Sequence, residues 1–449
     1  MRGYYSVMNR HFVRALASVM RYAPADRIAP LAALRTFRRT VASVPAYRDL
    51  LSRLCVPVER IVTSRDFHER VPVVDQATYV CQYPPELLCR GGTFLEAYSI
   101  ERCAGPVGAT IRIRGREETE RFTASVERLL GDVVRADQHR TLAVVAWSAT
   151  SWPGGERFAH AVQALAESRR LQVATMTPGA DTDACLDAVR EMRGQFDQVL
   201  LAATPMLLRA VVEQGRQTGV DWRGRHVHLL GAGRQVSETW REAVRVGLGQ
   251  PAANRRTGAQ ILSWPDLPEH DVPIGVETPM AVLVRRLAAE DVALCRDLFD
   301  GLERVPDVLQ FNPLNLYAER IDGKLVLTTG GTVPLVRFTH HDNGGAITFH
   351  RARDILNDHG YDIAAMLSKL GWRPHTVAPF PLLYCVPRIM DGPVRGVTAG
   401  RHALSTSTEA SSIGASTIGA STIGASSLES SSTFMTSIES AIGSASSRT

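Results

Sequence analysis

The fold is decided by residues 141–176, which read TLAVVAWSATSWPGGERFAHAVQALAESRRLQVATM. The mostly apolar run Thr141–Ala146 predicts a buried strand. A turn at Pro153-Gly154-Gly155 follows, and residues 156–170 then place apolar side chains at helical spacing. Leu171–Met176 predicts the next strand. Two strands joined through a helix by short connections favour a parallel pair with the helix packed on one face.

The same alternation of strand and helix continues along the chain. Further strands are predicted at Gln198–Ala202 and Val227–Leu230, and further helices at Asp181–Arg193, Pro205–Gln217 and Ser237–Val246. Asp181 or Thr182 suits the N-cap of the first of these helices because its side chain can accept a hydrogen bond from a free backbone N–H group. We therefore expect an α/β fold in which parallel β-sheet is flanked by helices.

The regions on either side carry weaker patterns. Residues 31–55 have apolar positions at helical spacing. Lys324–Thr328 and Leu335–Thr339 predict paired strands, each preceded by a turn. Ala352–His359 predicts a short helix closed by Gly360, because glycine adopts the left-handed conformation at low cost.

The last part of the chain has a different composition. Ser and Thr supply 23 of the 47 residues from Ala403 to Thr449, with Ile-Gly-Ala-Ser-Thr repeats. So few bulky side chains cannot offset chain entropy, which favours disorder; a short β-solenoid is the alternative. We expect one folded region over residues 1–388, a linker over 389–402 and a low-complexity tail over 403–449.

Composition limits the classes of function. The 449 residues include 45% hydrophobic and 22% charged residues, and 51 basic against 46 acidic residues leave +5, too mild a charge to indicate nucleic-acid binding. Seven scattered cysteines without a C-x-x-C pair argue against a disulfide framework or a zinc ribbon and fit a reducing cytoplasm. No apolar run approaches the roughly 20 residues that span a bilayer. We expect a cytoplasmic protein without membrane or nucleic-acid partners.

The basic residues are almost all arginine, since Lys324 and Lys369 are the only lysines in the sequence. A GC-rich coding bias accounts for such an excess. It nevertheless restricts the chemistry, because a mechanism that needs a lysine has two residues to choose from.

Two glycine motifs are candidates for phosphate binding. Gly231-Ala232-Gly233 lies between a predicted strand and a predicted helix, where backbone N–H groups can approach a phosphate; a plain tight turn is the alternative. Gly105-Pro106-Val107-Gly108 precedes the predicted strand Ile111-Arg112-Ile113. It lacks the hydroxyls and the lysine of phosphate-cradling loops, so a structural hairpin loop is the other interpretation.

The most distinctive stretch is Pro334–Gly345, PLVRFTHHDNGG. Adjacent residues on a strand point to opposite faces, so His340 and His341 cannot easily share a metal ion. Asp342, before two glycines, is placed either to accept hydrogen bonds from a sugar diol or to cap its own turn.

Other catalytic motifs are missing from the sequence. There is no G-x-S-x-G elbow of a serine hydrolase, no H-E-x-x-H zinc motif and no Walker lysine. A dinucleotide-dependent oxidoreductase would depend on Gly231-Ala232-Gly233 alone, and Val236 stands where the third glycine of that fingerprint belongs.

Taken in order, these motifs resemble the phenylacetate–coenzyme A ligase-like branch of the adenylate-forming (acyl-AMP) superfamily, over about residues 30–388. The similar segments are Phe37–Arg48 (V-P-x-Y-R), Val71–Val74 (L-P), Leu229–Gly233 (G-G-E) and, best of all, Pro334–Asp342 (P-L-x-R-Y…D). The resemblance implies a large N-terminal domain of the adenylate-forming type. It implies that Asp342 binds the ATP ribose with Arg337 nearby.

The resemblance also implies a site and its ligands. The implied nucleotide-binding residues are Gly105, Gly108, Gly231, Gly233, Gly258, Arg337 and Asp342. ATP, Mg²⁺ and coenzyme A would be bound, and a carboxylic acid, aromatic in this branch, would be activated as acyl-AMP and passed to coenzyme A. The oligomeric state stays open, with a homo-oligomer among the options.

The sequence departs from this family in several motifs. Arg234 replaces the acid of G-G-E, Thr257-Gly258-Ala259-Gln260-Ile261 replaces Y-G-x-T-E, and the hydroxyls of the first loop are missing. The Ser-rich tail stands where a C-terminal lid domain with the adenylation lysine would follow, so we expect this lid to be missing. The alternative function is therefore a non-catalytic relative that binds nucleotides, acyl groups or proteins.

Overall fold

A computed structural model of the chain describes residues 25–105, 108–147, 154–192, 194–222, 226–233, 236–249, 261–265, 275–369 and 379–386. All of them belong to one unit, residues 1–390. The predicted linker, the tail, the lid region and Gly258 lie outside the described residues. None of the helices within these ranges is long and apolar enough to cross a membrane.

Helices form the first layer. They are α1 (Ala25–Ser43), α2 (Pro45–Arg53), α3 (Ser64–Arg70) and α4 (Pro85–Leu88). The single helix expected over 31–55 is in fact two, because the residue before Pro45 is forced out of the helical region: Val44 is extended, with φ −107° and ψ 112°. Phe37, Tyr47 and Phe67 of these helices are fully buried against one another.

A hairpin leads into the first parallel unit. Strands β1 (Ala97–Gly105) and β2 (Gly108–Gly115) pair antiparallel, and α5 (Arg116–Arg128) follows. The carboxylate of Glu118 accepts a hydrogen bond from the Gly115 N–H group at 3.0 Å. This contact fixes the start of α5.

The predicted parallel sheet is confirmed. Its strands are β3 (Thr141–Val145), β4 (Val173–Met176), β5 (Gln198–Ala203), β6 (His226–Gly233) and β7 (Ile261–Pro265), in the order β4-β3-β5-β6-β7. Helices α6 (Gly154–Glu167), α7 (Thr182–Glu191), α8 (Pro205–Gln217) and α9 (Glu238–Gly247) connect them. Asp181 is the N-cap of α7, as expected, and accepts from the Ala184 N–H group at 2.7 Å. Apolar side chains fill both faces of the sheet.

The second large sheet is antiparallel. Its strands are β8 (Asp307–Gln310), β9 (Leu316–Ile321), β10 (Lys324–Thr329), β11 (Leu335–Ile347) and β12 (Leu382–Val386), in the order β8-β12-β11-β10-β9. The helices α10 (Pro279–Glu290), α11 (Val292–Leu298), α12 (Phe349–Asp358) and α13 (Ile363–Lys369) share a core with β8, β11 and β12. Gly360 closes α12 with φ 81°, as expected. The expected α/β class is confirmed, with one parallel and one antiparallel sheet.

The glycines after Asp342 do not form the expected turn. Gly344 and Gly345 lie inside β11 and pair with Cys385 and Tyr384. A Cβ atom on Gly344 would lie 2.4 Å from the carbonyl oxygen of Tyr384, and one on Gly345 would lie 2.6 Å from the hydroxyl of the same residue. The sequence GG here serves close strand packing, so Asp342 lies within a strand and does not cap its own turn.

Candidate functional site

The first candidate region is the carboxyl edge of the parallel sheet. The order β4-β3-β5-β6-β7 places a topological switch between β3 and β5, where ligands bind in open α/β sheets. Helices α8 and α9 begin at this edge, and each is capped by a hydroxyl, that of Thr204 or that of Ser237. The edge therefore gathers helix N-termini, which favour anions.

Gly231 and Gly233 lie at this edge, but inside β6 and not in a turn after it. Gly231 pairs with Ala203 of β5 on one side and with Ser263 of β7 on the other. A Cβ atom on Gly231 would meet Pro205 at 3.4 Å, which is an ordinary contact. Packing alone thus does not require this glycine, and a bare backbone leaves room for a ligand to approach.

Gly105 and Gly108 are the last pair of the β1–β2 hairpin. They face each other across the ladder, next to the pair Ala104 and Ala109. The structural hairpin considered for this motif is confirmed by the pairing. Its tip, residues 106 and 107, lies outside the described residues, so phosphate binding by this loop stays a prediction.

Asp342 lies in a β-bulge of strand β11. Lys324 pairs with Asn343 and Val326 with Thr339, so His340, His341 and Asp342 together oppose a single residue, Leu325. His341 takes a left-handed conformation, with φ 65°. Bulges of this kind bend a strand and redirect its side chains, and they are frequent next to active sites.

Contacts inside and outside the strand hold this bulge. The Thr339 hydroxyl donates to the Leu325 carbonyl oxygen at 3.0 Å and accepts from the His341 N–H group at 3.0 Å. The ring Nε2 of His341 lies 2.9 Å from Oδ2 of Asp75. Because Asp75 is 266 residues away in sequence, this support is set by tertiary structure.

Asp75 is a residue that sequence reasoning missed. Burial would raise its pKa, but hydrogen bonds from Thr78 and the contact with His341 outweigh burial, and the pKa lies below its ordinary value. The signal in the sequence was the capping pattern Asp75-x-x-Thr78, whose Oδ1 accepts from the Thr78 N–H group at 2.8 Å. That pattern identifies a turn and gives no hint of His341.

The charges around Asp342 include one of the two lysines. The ammonium group of Lys324 donates to Oδ1 of Asn343, the residue after Asp342, at 2.9 Å. On the neighbouring strand, burial raises the pKa of the Cys385 thiol, and the charge of Asp342 adds to that effect. The bulge thus brings a carboxylate and an ammonium group to one end of the β10–β11 pair.

Arg337 occupies a different environment from that of a ligand-facing arginine. It lies in a second bulge, between the pairs Leu327–Phe338 and Thr329–Leu335, with φ 48°. Its guanidinium group contacts both carboxylate oxygens of Glu319 at 3.2 Å and donates to the carbonyl oxygens of His68 (2.9 Å) and Val71. Arg337 therefore ties β11 to β9 and to the end of α3, and its part in nucleotide binding stays a prediction.

The expected site residues fall into three groups on three sheets. Gly105 and Gly108 lie in the hairpin, Gly231 and Gly233 in the parallel sheet, and Arg337 and Asp342 in the antiparallel sheet. Across the described ranges, no group of three or more His, Cys, Asp or Glu side chains is arranged to hold a metal ion.

This architecture is found in solved structures of other proteins. No protein-family model matches the chain, and no curated protein matches it either. Solved structures do match: an open conformation of 2-hydroxyisobutyryl-CoA ligase with 2-HIB-AMP and CoA has a TM-score of 0.55 and 15% identity, covering 82% of this chain and 71% of that one.

Two further structures of that ligase agree. Its thioesterification state, with 2-HIB-AMP and CoA, has a TM-score of 0.53 and 15% identity over 79% of this chain and 66% of that one. Its postadenylation state has a TM-score of 0.52 and 15% identity over 72% and 63%. The chain thus spans about two thirds of the length of these structures. Its fold is similar to that of this CoA ligase.

Proposed function

We propose that the chain activates a carboxylic acid with ATP, through acyl-AMP, and transfers the acyl group to coenzyme A. The observation that carries this proposal is the bulge in β11, which places Asp342 next to Asn343, the cross-strand partner of Lys324, in a chain with a fold similar to that of a CoA ligase. The bound 2-HIB-AMP and CoA of the structural neighbours support the same reaction type.

The proposed reaction has two displacements. A carboxylate oxygen of the acid attacks the α-phosphorus of ATP, and pyrophosphate leaves with the electron pair of the broken P–O bond. The thiolate of coenzyme A then attacks the acyl carbon, and AMP leaves. The first step needs no general base, because the carboxylate is already the nucleophile.

The chain's own residues would bind and orient the nucleotide. The carboxylate of Asp342 would accept hydrogen bonds from the ribose hydroxyls, which are strong because the acceptor is charged. The bare backbones of Gly231 and Gly233 would let phosphates approach the edge of the parallel sheet. Lys324 would supply positive charge near Asp342, in place of a lysine on a lid.

The acids of two motifs of the resembled family, one of which would organise Mg²⁺, are replaced in this sequence. Mg²⁺ is bound by one or two carboxylates together with phosphate oxygens and water. At the G-G-E position this sequence has Arg234, and at the acid of Y-G-x-T-E it has the apolar residue Ile261. We therefore derive no step through a protein-held magnesium ion.

The proposed substrate class and the proposed cellular location rest on the sequence alone. The resemblance to the phenylacetate branch supports an aromatic acid, whereas the structural neighbours are 2-hydroxyisobutyryl-CoA ligase with bound 2-HIB-AMP. Scattered cysteines support a cytoplasmic setting. The oligomeric state, with a homo-oligomer among the options, is tested by measuring the mass of the chain in solution.

The test is ATP–pyrophosphate exchange with a panel of acids that includes phenylacetate and 2-hydroxyisobutyrate. We expect exchange above background with at least one acid. We also expect Asp342→Asn to raise the KM for ATP by roughly tenfold to a hundredfold, as loss of charge-assisted hydrogen bonds does. Asp322→Asn is the matched control, since Asp322 lies exposed in the β9–β10 turn with φ 49°, a conformation that asparagine tolerates.

The outcomes separate the two functions considered. Exchange that depends on Asp342 supports the ligase. ATP binding without exchange for any acid supports a non-catalytic nucleotide-binding relative. An equal effect of the two substitutions would show that Asp342 is not a nucleotide ligand.

A further inference from the structure

A cluster of arginines lies at the other end of the β10–β11 pair. It consists of Arg35 and Arg39 on α1, Arg90 in the turn after α4, and Arg121 on α5. Arg90 and Arg121 contact the carboxylate of Glu117, and Arg35 and Arg39 lie near enough for their charges to interact with it. We call this set the arginine cluster.

Glu117 is the centre of the cluster. One oxygen accepts from Nη1 of Arg90 at 2.8 Å, and the other accepts from Arg121. Burial would raise the pKa of Glu117, but the charges of Arg121, Arg90 and Arg39 outweigh burial, and the pKa lies below its ordinary value. One carboxylate thus faces several cations.

The backbone of Gly330 lies against the same guanidinium groups. Nη1 of Arg121 donates to the Gly330 carbonyl oxygen at 2.8 Å. A Cβ atom on Gly330 would lie 3.4 Å from Nη2 of both Arg90 and Arg121. Arg90 and Arg121 therefore pack against the backbone that follows β10.

The charges of Glu117 and Glu118 both act on Arg121 in this cluster. The only other carboxylate that these contacts bring in among the described residues is Glu118, which already accepts hydrogen bonds from Gly115 and Thr332. Burial lowers the pKa of Arg35, and the nearby charge of Arg39, one helical turn away, lowers it further. Two like charges four residues apart destabilise a helix, so their placement has a cost that an anion would offset.

The cluster is separate from the candidate nucleotide site. Lys324, opposite Asn343 beside Asp342, begins β10, and Gly330 follows its last residue. Six residues at about 3.3 Å each put the two ends roughly 20 Å apart. The cluster would not bind the same phosphates as the site at Asp342.

We propose that the arginine cluster is an anion site that binds a phosphate group, either free phosphate or the terminal phosphate of a monoester. Arginine suits this ligand because its planar fork donates two parallel hydrogen bonds to phosphate oxygens. Arg39, which is exposed, and the accessible edge of Arg90 would contact the ligand, while Glu117 holds Arg90 and Arg121 in place. This site goes beyond acid activation and does not depend on it.

The experiment is calorimetric titration of the full chain with inorganic phosphate at low ionic strength, where exposed charges are least screened. We expect saturable binding that Arg39→Ala weakens by roughly tenfold or more, as loss of a hydrogen bond between charged groups does. Arg38→Ala is the matched control: it is also exposed on α1, but its guanidinium group donates to the Val62 carbonyl oxygen, away from the cluster. We expect it to change the affinity by less than about twofold.

Methyl phosphate distinguishes the sources of the ligand. Equal binding of methyl phosphate and phosphate indicates a site for monoesters, and binding of phosphate alone indicates a site for the free ion. Absence of saturable binding by the folded wild-type chain overturns the proposal. Equal weakening by Arg39→Ala and Arg38→Ala also overturns it, because the attraction would then be that of a general basic surface.

Discussion

Replacing Arg337 with methionine tests whether this residue is a structural clamp. The side chains of Arg337 and Glu319 are each 8% exposed and share two contacts at 3.2 Å. Methionine keeps much of the volume but leaves the Glu319 carboxylate and the carbonyl oxygens of His68 and Val71 without this donor. Breaking a buried pair by removing one partner costs roughly 3–5 kcal/mol, and we expect a loss of that size in the free energy of unfolding.

The loss should depend on pH. Burial raises the pKa of Glu319 despite the opposing charges of Arg337 and His68, and without Arg337 the pKa rises further. A carboxyl group whose pKa is higher in the folded than in the unfolded state binds more protons when the protein is folded. It therefore stabilises the folded state at pH values below its unfolded pKa, and this contribution is lost as the pH rises through its folded pKa. The deficit of Arg337→Met should therefore be larger at pH 8 than at pH 5.

The assay is urea denaturation at both pH values, with Arg353→Met as the control. Arg353 pairs with Asp354 at 2.8 Å on the surface, where both side chains are about half exposed, so its loss should cost less than about 1 kcal/mol. Adding Glu319→Gln should restore part of the stability of Arg337→Met by removing the unpaired charge. A deficit for Arg337→Met no larger than that of the control, or one that grows toward acid pH, would refute the clamp.

Three further predictions follow from close contacts. Gly345→Ala should destabilise the folded protein by about 1–3 kcal/mol, because its Cβ would lie 2.6 Å from the Tyr384 hydroxyl. Calorimetry should show a lower Tm, which Tyr384→Phe should partly restore. An unchanged Tm would contradict this strand pairing. His341→Asn should keep the left-handed backbone and lower the free energy of unfolding in urea by less than about 1 kcal/mol. It should raise the KM for ATP, because the bulge loses its contact with Asp75. An unchanged KM would show that the bulge does not position the nucleotide site. Glu277→Gln should cost roughly 3–5 kcal/mol in urea, since it removes the charge that fully buried Arg241 contacts at 2.8 Å and leaves this arginine paired with Glu238 at 3.3 Å, whereas exposed Glu213→Gln should have little effect.

Much of the fold follows from local pattern. Helix α8 begins and ends where the sequence predicts, at Pro205 and Gln217, because proline suits the first helical turn and Thr204 caps it. The strands β3 to β6 were found because buried parallel strands are short apolar runs between helices. The hairpin at Gly105 and Gly108 was found as one of two alternatives.

The sequence predicted only part of the candidate site. Asp342 was identified from a motif, but its position in a bulge depends on the offset between Lys324–Asn343 and Val326–Thr339, which no local pattern contains. The pair of glycines after it was interpreted as a turn, because glycine in sequence does not distinguish a left-handed turn from a strand that must approach Tyr384 closely.

By itself, the sequence determined the order of strands and helices, the caps and the motif around Asp342, since these depend on residues a few positions apart. Only the tertiary structure decided which charges meet: Arg337 with Glu319, His341 with Asp75, and Glu117 with its arginines. The physical reason is the distance along the sequence over which each kind of interaction acts. Periodicity and capping act over one or two turns, whereas these ion pairs join segments up to 266 residues apart, whose positions are fixed by packing of both sheets.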